Sequence, residues 1–161
     1  MSNRLFLEQG GFALVIVMMT AALMAAMVSS LALVTVTETA VAANYRDASE
    51  ALYAADAAVE FALQQIARVE DWSDLIGESG PTVLVDSPFQ DLVPVVGPSK
   101  VHVVVWLADR SPEPRDEEAA LRVLSVTGQA LGARGSRRVV EVLVEKADSS
   151  AVRLLAWREL P

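Results

Sequence analysis

The sequence predicts an α+β fold in which a long N-terminal helix, membrane-spanning in its first half, packs on a C-terminal antiparallel β-meander. Three observations predict it. From Phe12 to Ile76 there is neither glycine nor proline, the two residues that most strongly interrupt a helix. From Gln9 to Thr37 there is no charged side chain. Beyond the cluster Gly77-Glu78-Ser79-Gly80-Pro81 the texture changes to short β-branched runs of period two, separated by turn residues.

The first element is apolar. Phe12 to Val36 supplies 25 residues, and a hydrocarbon core about 30 Å thick needs about 20 residues of helix. Three readings of this N-terminus compete. A secretory signal would use Ala40-Val41-Ala42 as its cleavage site, but the apolar run is longer than the roughly 7–15 residues of such a signal. A plain uncleaved anchor needs neither the abrupt Gly11-Phe12 start nor a helix that continues past the apolar run. A special leader ending at Gly11 accommodates both. The corresponding segments are a leader (residues 1–11), a membrane-spanning half-helix (12–36), an amphipathic half-helix (37–70) and a β-sheet domain (71–161).

The second half of the helix, Val41 to Leu63, is rich in alanine, the best helix former. Leu52, Ala55, Val59, Leu63 and Ile66 recur at helical spacing, while Glu50, Asp56, Glu60 and Gln64 lie largely off that stripe. Leu52, Val59, Leu63 and Ile66 are therefore the candidates for packing the helix on the sheet. A helix from Phe12 to Ala67 would be about 84 Å long, so its first half needs lipid or other copies around it. Strands are expected at Lys100 to Leu107, Leu121 to Gly128, Ser136 to Val144 and Val152 to Trp157. Gly132-Ala133-Arg134-Gly135 suits a hairpin between the second and third, and Ser111 to Glu118, with two prolines and four acids, reads as a solvated loop. Such a meander has one solvated face and one needing cover, which the helical stripe would provide.

Composition narrows the function. Thirteen Lys and Arg stand against 21 Asp and Glu, a net charge of −8, and this opposes nucleic-acid binding through phosphate neutralisation. Without cysteine there is neither a disulfide framework nor a thiolate metal site. His102 is the only histidine and reads as a structural strand residue, because an imidazole zinc site needs partners the sequence lacks. Asp116-Glu117-Glu118 lacks the ligand spacing of a calcium loop. Gly77-Glu78-Ser79-Gly80 is not a nucleophile elbow, and no phosphate-cradling loop occurs. The expectation is a non-enzyme without cofactor or metal. Arg134, Arg137 and Arg138 are the one basic concentration, read as a soluble turn that could also face an anionic surface or an acidic neighbouring subunit.

Residues 8 to 67 resemble the type IV pilin-like proteins, and within them the PilX minor pilins and their K-type relatives in type II secretion. That pattern is a short leader ending in Gly, a Phe or Met after the cut, an apolar helix, and Glu-Thr-x-x-x-x-Asn-x-x-x-x-x-x-Ala-x-x-Ala-Ala-Asp/Glu-Ala. Glu38-Thr39, Asn44-Tyr45-Arg46-Asp47 and Ala51-Leu52-Tyr53-Ala54-Ala55-Asp56-Ala57 match it. Ser125-Val126-Thr127-Gly128, Ser136 to Glu141 and Ala156 to Glu159 look like the PilX-type sheet with less specificity.

The resemblance implies a pilin-like fold, a cut between Gly11 and Phe12 by prepilin peptidase, and N-methylation at Phe12. It implies an inner-membrane anchor before assembly, with the C-terminal domain outside the cytoplasm, and a place in a filament or at the cell surface afterwards. Implied partners are the peptidase, inner-membrane lipid and other pilin or pseudopilin subunits. One position departs from the pattern. Major pilins usually carry Glu at the fifth residue after the cut, where it pairs with a neighbour's amino terminus, and here that residue is Ile16. K-type tip pseudopilins are similar in lacking it, which points to a priming or tip subunit; the plainer reading is that Ile16 merely fits an apolar helix. The expectation is thus a minor pilin of a type IV pilus, with a tip pseudopilin of type II secretion or a permanently anchored envelope binding protein as alternatives.

Overall fold

The computed structural model describes residues 5–76, 80–94, 99–111, 122–146 and 152–161, without the side chains of 5–10, 73–74 and 122. Gly77-Glu78-Ser79, the acidic run Asp116-Glu117-Glu118 and nearly all of the loop expected over 111–118 lie outside these residues. Two compact units divide the chain, Met1–Ala43 and Asn44–Pro161, and helix α1 (Leu5–Ile66) contributes to both.

Within the second unit the helix ends as the sequence changes character. Ala67 N–H still donates to the Leu63 carbonyl at 2.9 Å, and the next two amides tighten to the third residue back, a common way to finish a helix. Carbonyls at this end also gain side-chain donors. Trp72 Nε1 donates to the Ile66 carbonyl at 3.3 Å, and Lys146 Nζ donates to the carbonyls of Val69, at 3.1 Å, and Glu70. A cation at this end also complements the helix dipole. The same ammonium stands 5.7 Å from the Trp72 ring centroid, within cation–π range. Trp72 opens a 3-10 turn (Trp72–Leu75) and is itself buried.

The sheet has five strands, β1 (Thr82–Pro88), β2 (His102–Asp109), β3 (Arg122–Leu131), β4 (Arg137–Lys146) and β5 (Val152–Leu160). They pair antiparallel in the order β1-β2-β3-β4-β5. A one-turn helix, α2 (Phe89–Leu92), follows β1. The four expected strands are present, each shifted or extended by a few residues. The additional strand β1 was hard to read because it is short, follows the Gly-Pro breaker and ends at Pro88, whose missing N–H suits an edge. The expected hairpin joins β3 to β4 through Ala133–Gly135. Arg134 (φ 55°) and Gly135 (φ 78°) there adopt left-handed backbone. Irregularities between Val83 and Val85 in β1, and opposite Leu143 and Val144 in β5, interrupt both edges; such bulges discourage edge-to-edge aggregation.

One sheet face is covered by the helix. Val103, Val105, Leu107, Leu124, Val126, Val140, Val142 and Val144 are buried on it, together with Ala51, Ala54, Ala55, Ala58, Val59, Ala62 and Ile66 of α1. Most of the helical contributors are alanines, and small side chains let backbones approach. Gly128 shows how closely: a Cβ added there would lie 2.5 Å from Val59 Cγ2 and 2.9 Å from the Ala55 carbonyl oxygen. The centre of the buried helical face is therefore carried by alanine rather than by leucine.

Candidate anchoring and assembly surface

In the first unit, Met1–Ala43, the sequence offers apolar side chains on every side of the helix, and the structure leaves them uncovered. Every residue from Gly11 to Ala42 is exposed. Phe12 is 70% exposed, Leu14, Met18, Met24, Leu31 and Val36 exceed 60%, and Ile16 is 47% exposed. Exposed apolar surface on this scale marks an interaction or membrane surface, and a helix apolar all round belongs in lipid or in a large assembly. The polar side chains conform to that setting. Thr20 Oγ1 donates to the Ile16 carbonyl at 3.0 Å, Ser29 Oγ to Ala25 at 2.8 Å, Thr35 Oγ1 to Leu31 at 3.0 Å, and Thr37 Oγ1 to Leu33 at 2.9 Å. Each hydroxyl is satisfied inside the helix, so none needs water.

Gly11, Phe12 and Ile16 lie on this stretch of α1, and no neighbouring atom would meet a Cβ at Gly11. Residues 1–4, and the side chains of 5–10, are outside the described residues. Leu52, Val59, Leu63 and Ile66 belong to the second unit. Val59 and Ile66 are buried there, while Leu52 and Leu63 are half-buried against the core. The last two flank the alanine-lined centre.

The other sheet face holds polar structure that the sequence reading did not single out. Glu141 of β4 is 5% exposed. It accepts a hydrogen bond from Ser125 Oγ on β3 at 2.7 Å and from Arg158 Nε on β5 at 2.6 Å. The Ser125 hydroxyl and then the Arg158 guanidinium hold its carboxyl below the ordinary range, against the opposing effect of burial. The signal was present: a lone acid inside Val139-Val140-Glu141-Val142 must either face outward or find partners. His102 Nε2 lies 2.6 Å from Asp86 Oδ1 on β1, with both side chains largely exposed. The three hairpin arginines are engaged within the chain. Arg134 Nε donates to Asp47 Oδ2 at 2.8 Å, Arg137 to Gln129 at 3.2 Å and Arg138 to Glu159 at 2.9 Å. Among the described residues no group of three or more acids and histidines could hold a metal ion.

The geometry is that of an uncovered apolar helix preceding a small helix-on-sheet domain. The family described as PilX N-terminal matches residues 10–60, which takes in the apolar segment, Asn44 and Asp47, and the helical alanines up to Ala58. No curated protein matches the chain, and no solved structure does. The exposed helix is long and apolar enough to cross a membrane. Over residues 10–60 the chain is similar to the PilX N-terminal family.

Proposed function

We propose that this protein is a minor pilin that primes assembly of a type IV pilus or occupies its tip. The leader, residues 1–11, is removed by prepilin peptidase after Gly11, and the new amino terminus at Phe12 is methylated. Residues 12–36 hold the subunit in the inner membrane with the sheet domain outside the cytoplasm, and then pack among other pilins. Residues 37–70 carry the helix into the sheet domain of 71–161, where Leu52, Val59, Leu63 and Ile66 contribute to the packing.

The observation that carries the priming or tip role is Ile16. A subunit inside the filament benefits from a carboxylate that pairs with the next amino terminus, and a buried charge without its partner is costly. A subunit with nothing above it has no use for that carboxylate. The same observation favours a second reading, a minor pseudopilin at the tip of a type II secretion machine. Neighbouring genes separate the two: pilus-motor and minor-pilin genes favour the pilus, a secretin with further pseudopilins the secretion machine.

Deletion tests the role. Removing the subunit should sharply reduce filament number while the remaining filaments keep normal diameter and symmetry. Ile16→Glu sharpens the test, since a carboxylate stranded in hydrocarbon costs several kcal/mol. At a tip the variant should show lower incorporation or reduced membrane stability. Its assembly into filaments at higher copy number would overturn the dedicated role, and parent-like behaviour would make Ile16 plain helix filler.

A further inference from the structure

We propose that the β3–β4 hairpin is a releasable clasp on the first turns of the sheet-bound helix. Arg134 grips Asp47, and opening of that grip frees residues 44–50 to unfold locally while the helix from Ala51 onward stays on the sheet.

The inference begins with what residues 44–50 lack. No side chain from Asn44 to Glu50 is buried, whereas Ala51, Ala54, Ala55 and Ala58 are almost wholly so. Apolar burial therefore secures the helix from Ala51 and does little before it. The attachments of the earlier turns are polar. Arg134 Nε donates to Asp47 Oδ2, the Ser136 hydroxyl lies 3.4 Å from the Asp47 carbonyl oxygen, and Ser99 Oγ donates to Glu50 Oε1 at 3.1 Å. Segments with few buried contacts and exposed hydrogen bonds open first.

The gripping side is under tension. Arg134 holds φ at 55°, a conformation that costs a side-chain-bearing residue free energy and persists only where surrounding contacts enforce it. The pair is also accessible, with 57% of the Arg134 side chain exposed against 14% for Asp47, so salt can weaken it. A shallow cleft of about 260 Å³, lined by Asn44, Asp47, Arg134 and Ser136, separates the hairpin from the helix. Asp47 lies within the family-matched segment and the hairpin beyond it, so the clasp ties the matched segment to residues outside it.

Hydrogen exchange followed by mass spectrometry on the full-length protein in detergent micelles tests this. Arg134→Gly is the informative variant, because glycine adopts the left-handed backbone freely and so removes the grip without threatening the fold. Exchange over 44–50 should rise roughly fivefold, the scale of one partly exposed ion pair, while 54–66 and the strands keep the parent's protection. Asp47→Asn should act in the same direction. Raising salt from about 0.02 M to about 1 M should accelerate exchange over 44–50 in the parent and leave the Arg134→Gly variant unchanged. Unaltered exchange over 44–50 in both variants, an equal rise across 44–66, or an absent salt response in the parent would each overturn the clasp.

Discussion

Gly128 marks a tight approach of helix to sheet, and it turns backbone geometry into a requirement on one side chain. Gly128→Ala places a methyl group 2.5 Å from Val59 Cγ2 and 2.9 Å from the Ala55 carbonyl oxygen. The helix must lift, at a cost of about 1–3 kcal/mol. Thermal denaturation of residues 41–161 should show the loss, and adding Val59→Ala should recover only part of it, because the carbonyl contact remains. Glu141 sets a second requirement. Its lowered native pKa contributes stability that is fully present above the unfolded value, near 4.5, and is lost as pH falls through the native value. Glu141→Gln should therefore be about 1–2 kcal/mol less stable at pH 7, with the gap narrowing as pH drops below about 4.5. A gap that stays constant from pH 7 to pH 3 would show that the carboxylate's charge is irrelevant. The lone acid among valines was legible in the sequence, but neither its partners nor the closeness of Gly128 to the helix was, since each depends on which elements lie side by side.

At the scale of elements, the long helix was legible because breaker residues are absent from Phe12 to its end, and the β-branched runs Val101 to Leu107 and Val139 to Val144 made two strands plain. The fine structure of the helix–sheet contact was not. Hydrophobicity draws attention to Leu52 and Leu63, while the sheet admits Ala51, Ala55, Ala58 and Ala62 closest. Proximity rewards small volume there, and no periodicity of large apolar residues reveals it. The contact is testable by dissection. A polypeptide beginning at Val41 retains the buried helical face and should be a soluble, cooperatively folding monomer or weak oligomer. One beginning at Val69 loses Ala51 to Ile66 and leaves the valine-rich sheet face bare, so it should precipitate or become molten. Equal thermal transitions for the two would refute helix cover of the sheet.

At the scale of the whole molecule, the first unit exposes apolar side chains throughout its helix, while the second buries most of its own between helix and sheet and leaves Leu154, Leu155 and Trp157 of β5 exposed. A helix apolar all round calls for lipid or for a large assembly around it. The exposed apolar helix was legible from the uncharged run Gln9 to Thr37, whereas the polar grip of the hairpin on Asp47 was not, because 87 residues separate Arg134 from its partner. The proposed cleavage behind Gly11 would link this architecture to the pilin pathway, and on that proposal Gly11 replaced by a bulky residue should block processing and leave the leader attached. The most direct measurement is the intact mass of the protein extracted from membranes of cells that carry their own prepilin peptidase. A processed pilin-like subunit should begin at Phe12 and carry one additional methyl group. A chain still beginning at Met1 or Ser2 would contradict that pathway and leave a permanent anchor in its place.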